Sequence, residues 1–412
     1  MFTAEIPPPS PKGTLMRALF VLNPGIGHLN PMLPVAQILQ EAGHDLAFAT
    51  SPKMLPSINA KGFNTFAAGL NWLSSEMDQT FPEIFELPFA EQGQAILGSI
   101  FADAAAHPMV ADLLNICQTW QPDLIVRNDF EFGSCVAAEI LGIPQATISI
   151  SYFLSANALE SLIGEELAYL RSTYGLAPYP TMDMLYPSLY LAFAPPSFQP
   201  KEIPTMESLR PLRFTRFSDG DLPAWVSQLP DRPTVYASMS SVFDTPTIFP
   251  MILEALRDEP INLILTVGTK QDPAQFGPQP ANVYIEQYIP QALLFPYCDL
   301  FITHCPFATI MAAISHGMPL LMIPVAGEEP AGAMRAAELG LGKVLRLPNQ
   351  PKEFFDQWVP EFSVESIRAS VRELLQTTRY RNNAQRFQAE IQALPGPERV
   401  IELLTNLAHK KR

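Results

Sequence analysis

The sequence predicts an α/β protein made of two doubly wound, Rossmann-like domains, and three observations carry that expectation. Short apolar runs alternate with helical stretches along the first half, the order expected of parallel strands joined by crossover helices. The alternation lapses in a Pro-rich interval and then resumes, so the architecture repeats without the sequence repeating. Hydrophobic residues make up 48% of the chain and charged residues 16%, against a usual charged share of roughly 25%, which fits large buried sheets. At roughly 150 residues per domain, 412 residues make two or three domains.

Taken in order, the first dozen residues carry Pro7, Pro8, Pro9 and Pro11 without the apolar core or cleavage site of a signal peptide, and residues 1–14 read as a flexible arm. Ala18-Leu19-Phe20-Val21-Leu22 is a buried strand that enters the turn Asn23-Pro24-Gly25-Ile26-Gly27-His28. Val35, Ile38, Leu39 and Ala42 then fall on one helical face, with Gly43 placed as a C-terminal cap. Strands at 44–50, 124–127 and 145–150 and a helix through 136–141 continue the pattern. The interval from Tyr186 to Pro233 has the composition of a linker. Beyond it, strands are expected at 234–239, 261–267, 283–286, 300–303, 320–323 and 344–347, followed by helices from Val364 that break at Pro395-Gly396-Pro397. The division is therefore a first domain over 15–215, a second over 216–395, and a last helix within 396–412 that is placed to pack back on the first domain.

Composition also excludes partners. A formal charge of −15 repels phosphate backbones and anionic lipids, so nucleic acid is not expected. No run reaches the roughly 18 uninterrupted apolar residues of a membrane span, and Cys117, Cys135, Cys298 and Cys305 lack metal-type spacing. A reducing, cytoplasmic setting and the absence of a resident metal are the expectation.

Four constellations stand where open α/β sheets bind ligands, beyond the carboxyl ends of strands. Gly25-x-Gly27-His28 follows the first strand, but Asn30 occupies the third glycine position of a dinucleotide fingerprint, so His28 is either a turn residue bonded to backbone or a group facing a ligand. Thr303-His304-Cys305-Pro306-Phe307-Ala308-Thr309 leads from strand to helix, and Thr309 either caps that helix or marks amides open to an anion. Glu328-Glu329 is a solvated helix start or a site for sugar hydroxyls. Asp129, in Arg127-Asn128-Asp129-Phe130, caps the helix behind it or serves the site.

Strand-Gly25-x-Gly27-His28-x-x-Pro31, Tyr288-Ile289-Pro290-Gln291 before Leu293-Leu294, Thr303-His304 through Gly317-x-Pro319, and Gly327-Glu328 resemble the family 1 glycosyltransferases of GT-B fold, above all bacterial enzymes that glycosylate natural products. The resemblance spans nearly the whole chain and includes Leu222-Pro223-Ala224-Trp225 and Arg232-Pro233-Thr234-Val235-Tyr236. It implies two facing Rossmann-like domains and an inverting, metal-independent transfer from a nucleoside diphosphate sugar, a co-substrate and not a cofactor, to an apolar small molecule. It implies His28 as general base oriented by Asp129, Tyr288, Ile289 and Gln291 around the nucleotide base, and Gly27, Ser241, His304 and Thr309 near the phosphates. Glu328 and Glu329 are implied at the sugar, Glu329 facing it. The chain departs from the family at Ser240-Ser241, at His304-Cys305-Pro306, at Ala312 where a ribose-binding Glu is usual, and at Glu329 where the family has Gln. These departures keep open a second expectation, a catalytically silent homologue that binds a small molecule or a partner enzyme.

Overall fold

The computed structural model describes residues 15–151, 154–199, 206–213, 220–239, 248–268, 271–325, 327–348, 350–352, 355 and 358–409. Two parallel sheets organise them. The first contains β1 (Arg17–Val21), β2 (Asp45–Thr50), β3 (Asn64–Ala67), β4 (Leu124–Asn128), β5 (Gln145–Ile148), β6 (Leu189–Ala192) and β7 (Leu209–Pro211), in the order β3-β2-β1-β4-β5-β6-β7. The second contains β8 (Thr234–Ser238), β9 (Asn262–Thr266), β10 (Val283–Glu286), β11 (Leu300–Thr303), β12 (Leu320–Met322) and β13 (Gly342–Val344), in the order β10-β9-β8-β11-β12-β13. In each, the strand order reverses once, between β1 and β4 and between β8 and β11. That reversal opens a crevice at the carboxyl edge.

The apolar runs lack alternation because both sheet faces are covered. Leu19 and Val21 join one core cluster while Ala18, Phe20 and Leu22 join the other. In β8, Tyr236 faces one cluster and Val235 and Ala237 the other. Register is set by these side chains: Phe20 pairs with Phe48 across β1 and β2, and their rings stack at 5.0 Å.

Three strands escaped the sequence reading. β3 is short and half polar, and β6 and β7 lie inside the interval read as linker; β7 is an edge strand ending in Pro211, where no ladder donor is needed. The last strand pairs at Gly342–Val344 and not at 344–347. Gly342 explains the position, since a Cβ there would lie 2.0 Å from the Leu320 carbonyl oxygen, so only glycine lets β13 meet β12.

The stretch Glu91–Trp120 is helical throughout and by length and composition long enough to cross a bilayer, yet half of its most apolar window is buried inside the protein. It is a core helix: Ile100, Phe101, Met109, Val110 and Leu113 belong to the cluster under the first sheet. Within it, Ile96–Ala104 winds as a π-helix, a rare form. At the other end of the chain, the helix Arg399–His409 inserts Val400, Leu404 and Ala408 into the cluster that holds Ala18 and Phe20 of β1. The chain crosses between the two sheets at neighbouring points, joined by the Arg213 N–H donating to the Pro395 carbonyl at 2.9 Å.

Candidate functional site

His28 lies at the reversal point of the first sheet. The turn ends sooner than its sequence suggests: Gly25 is the N-cap of a short helix, Ile26–Leu29, and the His28 N–H donates to the Gly25 carbonyl at 3.1 Å. Gly25 is sterically required, because a Cβ there would meet Ser74 Oγ at 2.9 Å and His28 Cδ2 at 3.2 Å. Gly27, by contrast, borders open space, and a Cβ there would meet nothing within 4 Å. The imidazole is half-buried against Phe101, edge to face at 5.8 Å, and Trp72 packs on Phe101 in turn. Phe101 belongs to the π-helical segment Ile96–Ala104. Burial lowers the His28 pKa to about 4, opposed by the side chain of Asn128. His28 Nδ1 and the neighbouring Ser74 Oγ are buried without a hydrogen-bond partner.

Asp129 does not reach His28. Its Oδ1 accepts from the Ile150 N–H at 3.2 Å and its Oδ2 from the Tyr190 hydroxyl at 3.0 Å. Nor does it cap the following helix, Gly133–Leu141; Glu131 does that, accepting from the Gly133 and Ser134 amides. Burial pushes the Asp129 carboxyl up to about 7, against the pull of Tyr190 and the Ile150 amide. The folded state thus keeps a proton that the unfolded chain releases near pH 4, so stability falls as pH rises from about 4 to about 7 and stays reduced above. Asp129→Asn keeps the bond accepted from the Ile150 N–H, reverses the other so that the amide nitrogen donates to the Tyr190 hydroxyl, and removes the buried charge. It is expected to raise the melting temperature by about 2 °C or more at pH 8 and by much less at pH 4; equal shifts at both pH values would show that this carboxyl does not titrate between them.

The second site gathers at the carboxyl edge of β10, β11 and β12. Beyond β11, Cys305 adopts φ 73°, the left-handed region that favours glycine, with its N–H on Thr303 Oγ1 at 3.1 Å. The helix begins at Phe307 with Pro306 as N-cap, two residues ahead of Thr309. Thr309 is buried, and its amide already donates to the Pro306 carbonyl at 2.8 Å. The open amides at this helix start are therefore those of Phe307 and Ala308, not that of Thr309. Burial lowers the His304 pKa to about 4, so the ring is neutral near pH 7 and offers a hydrogen bond and no charge. Its Nε2 is 3.8 Å from Glu329 Oε1, too far for a hydrogen bond, and a neutral ring makes no ion pair.

Glu329 turns inward, 6% exposed, with Oε2 accepting from the Val325 N–H at 2.7 Å. Its place in the first turn of the helix Glu329–Glu338 lets the carboxylate hold the loop before it. Glu328, expected as its partner, is the exposed member of the pair. Tyr288 is 62% exposed after β10 while Ile289 is buried. Gln291 donates through Nε2 to the Tyr236 hydroxyl at 3.1 Å, leaving its Oε1 buried without a partner. Ser241 lies outside the described residues.

Two further features could not be read locally. Arg127 is fully buried and donates five hydrogen bonds, to Gln145 Oε1 and to the carbonyls of Asn128, Asp129, Glu131 and Leu185, and so fixes the loop that carries Asn128. Arg335 donates to the carbonyls of Ser197, Phe198 and Gln199, tying the Glu329–Glu338 helix to the segment after β6. Among the described residues no three His, Cys, Asp or Glu side chains converge as metal ligands. A cavity of about 430 Å³ lined by Glu139, Pro144, Tyr179 and Leu407 lies at the amino ends of β5 and β6, away from both reversal points, where the side-chain chemistry is concentrated.

Comparison with known proteins agrees with this architecture. Residues 37–200 match the N-terminal domain and residues 251–407 the C-terminal domain of the erythromycin biosynthesis protein CIII-like family. The 4'-demethylrebeccamycin synthase of Lentzea aerocolonigenes is 25% identical over 95% of this chain and 99% of its own length. The NDP-glycosyltransferase YjiC of Bacillus subtilis is 27% identical over 91% of this chain and 93% of its own. Among solved structures, the glycosyltransferase SnogD from Streptomyces nogalater superposes with a TM-score of 0.73 at 24% identity, covering 96% of this chain and 100% of that one. The spinosyn rhamnosyltransferase SpnG superposes at 0.77, with 21% identity over 95% of this chain and 100% of that one. Both halves of one family model are matched, over about three quarters of the sequence, and the chain belongs to the erythromycin biosynthesis protein CIII-like family, bacterial natural-product glycosyltransferases of family 1 and GT-B type.

Proposed function

We propose that this protein is an inverting glycosyltransferase that moves a sugar from a nucleoside diphosphate to a hydroxyl of an apolar small molecule. The observation that carries the reading is the pair of reversal points, one holding a half-buried imidazole that stays neutral to about pH 4, the other an exposed tyrosine and a helix start. In the proposed step His28 takes the acceptor proton, the acceptor oxygen forms a bond to the anomeric carbon from the face opposite the phosphate, and the carbon–oxygen bond to phosphate breaks with its electron pair leaving on the nucleoside diphosphate. The neutral His304 ring and the Phe307 and Ala308 amides are placed to hydrogen-bond that leaving group, so no resident metal ion is required. Phe101 and Trp72 form the apolar wall beside the base that an apolar acceptor fits. Relatives support the substrate class: one is named a TDP-daunosamine transferase, and a solved relative was captured with thymidine diphosphate. Four free cysteines fit a cytoplasmic setting.

Calorimetric titration with thymidine and uridine diphosphates in the presence of a chelator tests the reading. Binding is expected without divalent ions, and Tyr288→Ala is expected to weaken it about tenfold, the lower end of what a base stacked on an aromatic ring contributes. Absence of binding at millimolar concentration would favour the silent homologue, which Cys305-Pro306 and the inward Glu329 already support on the donor side.

A further inference from the structure

The charge of the chain is not spread evenly. Between Gly62 and Pro200, the stretch that builds most of the first lobe, there are 15 Asp and Glu against two Lys and Arg; the rest of the sequence carries 26 against 24. Neither of the two cations reaches the surface. Arg127 is fully buried on its carbonyl acceptors, and Arg171, 4% exposed, is paired bidentately with Glu139. This stretch therefore meets water with carboxylates and no Lys or Arg, whereas a surface charged for solubility alone mixes both signs, as the remainder does.

Part of that charge stands at the edge where His28 lies. The loop after β3 reaches the His28 turn, with the Ser74 N–H donating to the Pro24 carbonyl at 2.7 Å, and Glu76 pairs with Lys53 at 2.5 Å. It continues through Asp78 to Phe81, Glu83 and Glu86. Phe81 meets Trp72 edge to face at 5.4 Å, and Trp72 packs on Phe101, which meets His28. Asp78, Glu83 and Glu86 are exposed and pair with no cation among the described residues. The same edge holds buried polar atoms with no hydrogen-bond partner: His28 Nδ1, Ser74 Oγ, Asn128 Nδ2 at the end of β4 and Ser151 Oγ after β5. Native interiors satisfy such groups, so these four mark the edge as a place that a polar ligand completes.

We propose that the acceptor is a lipophilic cation, an apolar hydroxyl compound that carries an ammonium group. Its apolar body fits the Trp72–Phe101 wall, its hydroxyl meets His28, and its positive charge lies toward Asp78, Glu83 and Glu86 and the electron-rich ring faces. A cleft walled by low-dielectric side chains and rimmed by one sign of charge concentrates a ligand of the opposite sign. The same field turns away an anionic nucleoside diphosphate, so each substrate is directed to its own lobe.

This substrate class deepens the proposed activity and rests on it, but the test reads binding with no donor present. Three 7-hydroxycoumarins are titrated by calorimetry: one with a trimethylammonium-ethyl arm, one with a tert-butyl-ethyl arm of the same shape and no charge, and one with a carboxyethyl arm. At low ionic strength the cation is expected to bind about tenfold more tightly than its neutral counterpart, the combined effect of a few surface carboxylates and an aromatic face. The carboxylate is expected to bind more weakly than either. The advantage should shrink to about twofold at about 0.5 M salt, where exposed charges act over only a few ångströms. It should shrink likewise in the triple variant Asp78→Asn, Glu83→Gln, Glu86→Gln, whose affinity for the neutral probe stays within about twofold of wild type. The salt series needs no variant and decides the matter even where the triple variant fails to fold. Failure of the cation to outbind the neutral probe, whether both bind or neither does, or an advantage untouched by salt and by the triple variant, would overturn the proposal. Adding a thymidine diphosphate sugar separates the two readings. Transfer to the neutral probe with no preference for the cation leaves the glycosyltransferase standing and removes the cationic acceptor; preferential binding of the cation without transfer to any probe keeps the ligand class and removes the activity.

Discussion

Replacement of His28 by Ala is expected to lower the transfer rate about 100-fold or more while leaving the circular dichroism spectrum unchanged, the usual contribution of a general base. A general base acts unprotonated, and the His28 pKa is lowered to about 4, so under the proposed role the wild-type rate should not decline between pH 8 and pH 5 on account of His28. An ordinary histidine would lose activity below about pH 6.5. The same shift has a cost in stability. As pH falls from about 6.5 to about 4 the unfolded chain takes up a proton that the folded ring refuses, so the folded state loses stability over that window. His28→Ala removes this loss, and its melting temperature should fall less between pH 7 and pH 4 than that of the wild type. A rate in His28→Ala close to wild type would remove His28 from the proton transfer.

Arg127→Ala is expected to destabilise the protein by about 3 to 5 kcal/mol, measured as a shift in the denaturant midpoint, because its removal leaves four carbonyls and Gln145 without their buried donor. None of its acceptors is a carboxylate, so the loss is one of hydrogen bonds and not of an ion pair. Arg127→Lys should recover little: an ammonium at one point cannot reach acceptors spread from Asn128 to Leu185, which the planar fork of the guanidinium spans. The loop that holds Asn128 would loosen, so the remaining folded molecules should also transfer sugar more slowly. A midpoint within about 0.5 kcal/mol of wild type would contradict this account.

Much of this was legible because apolar runs mark buried parallel strands wherever both faces are covered. Residues 283–286 and 300–303 were read to the residue, since turn residues bound those runs on both sides. Edge strands such as β7 were not, because an edge needs fewer apolar residues and tolerates proline. Within the site, sequence placed His28 at the end of β1, but it set Asp129 beside it, whereas that carboxyl is bonded to Ile150 and Tyr190. One residue of register decides which side of the sheet edge a side chain meets, and the acidic residue is the one that draws attention. Phe101 carries no local signal at all: it meets His28 from a π-helical segment some seventy residues further along the chain. The inward turn of Glu329 and the early start of the helix after Cys305 depend likewise on backbone donors that no residue pattern displays.

The last helix, packed through Val400, Leu404 and Ala408 against the core that contains β1, makes the first lobe a structure closed by both ends of the chain. On the ribosome, the strands of that lobe are made first, yet the part of its core beside β4 and the helix Leu33–Glu41 stays uncovered until residues near 408 have emerged. The second lobe, whose core clusters draw almost entirely on residues after 194, can complete its own core before the first can. The order of synthesis and the order of completion are thus reversed, and the earliest-made sheet is the one that waits longest with apolar surface exposed.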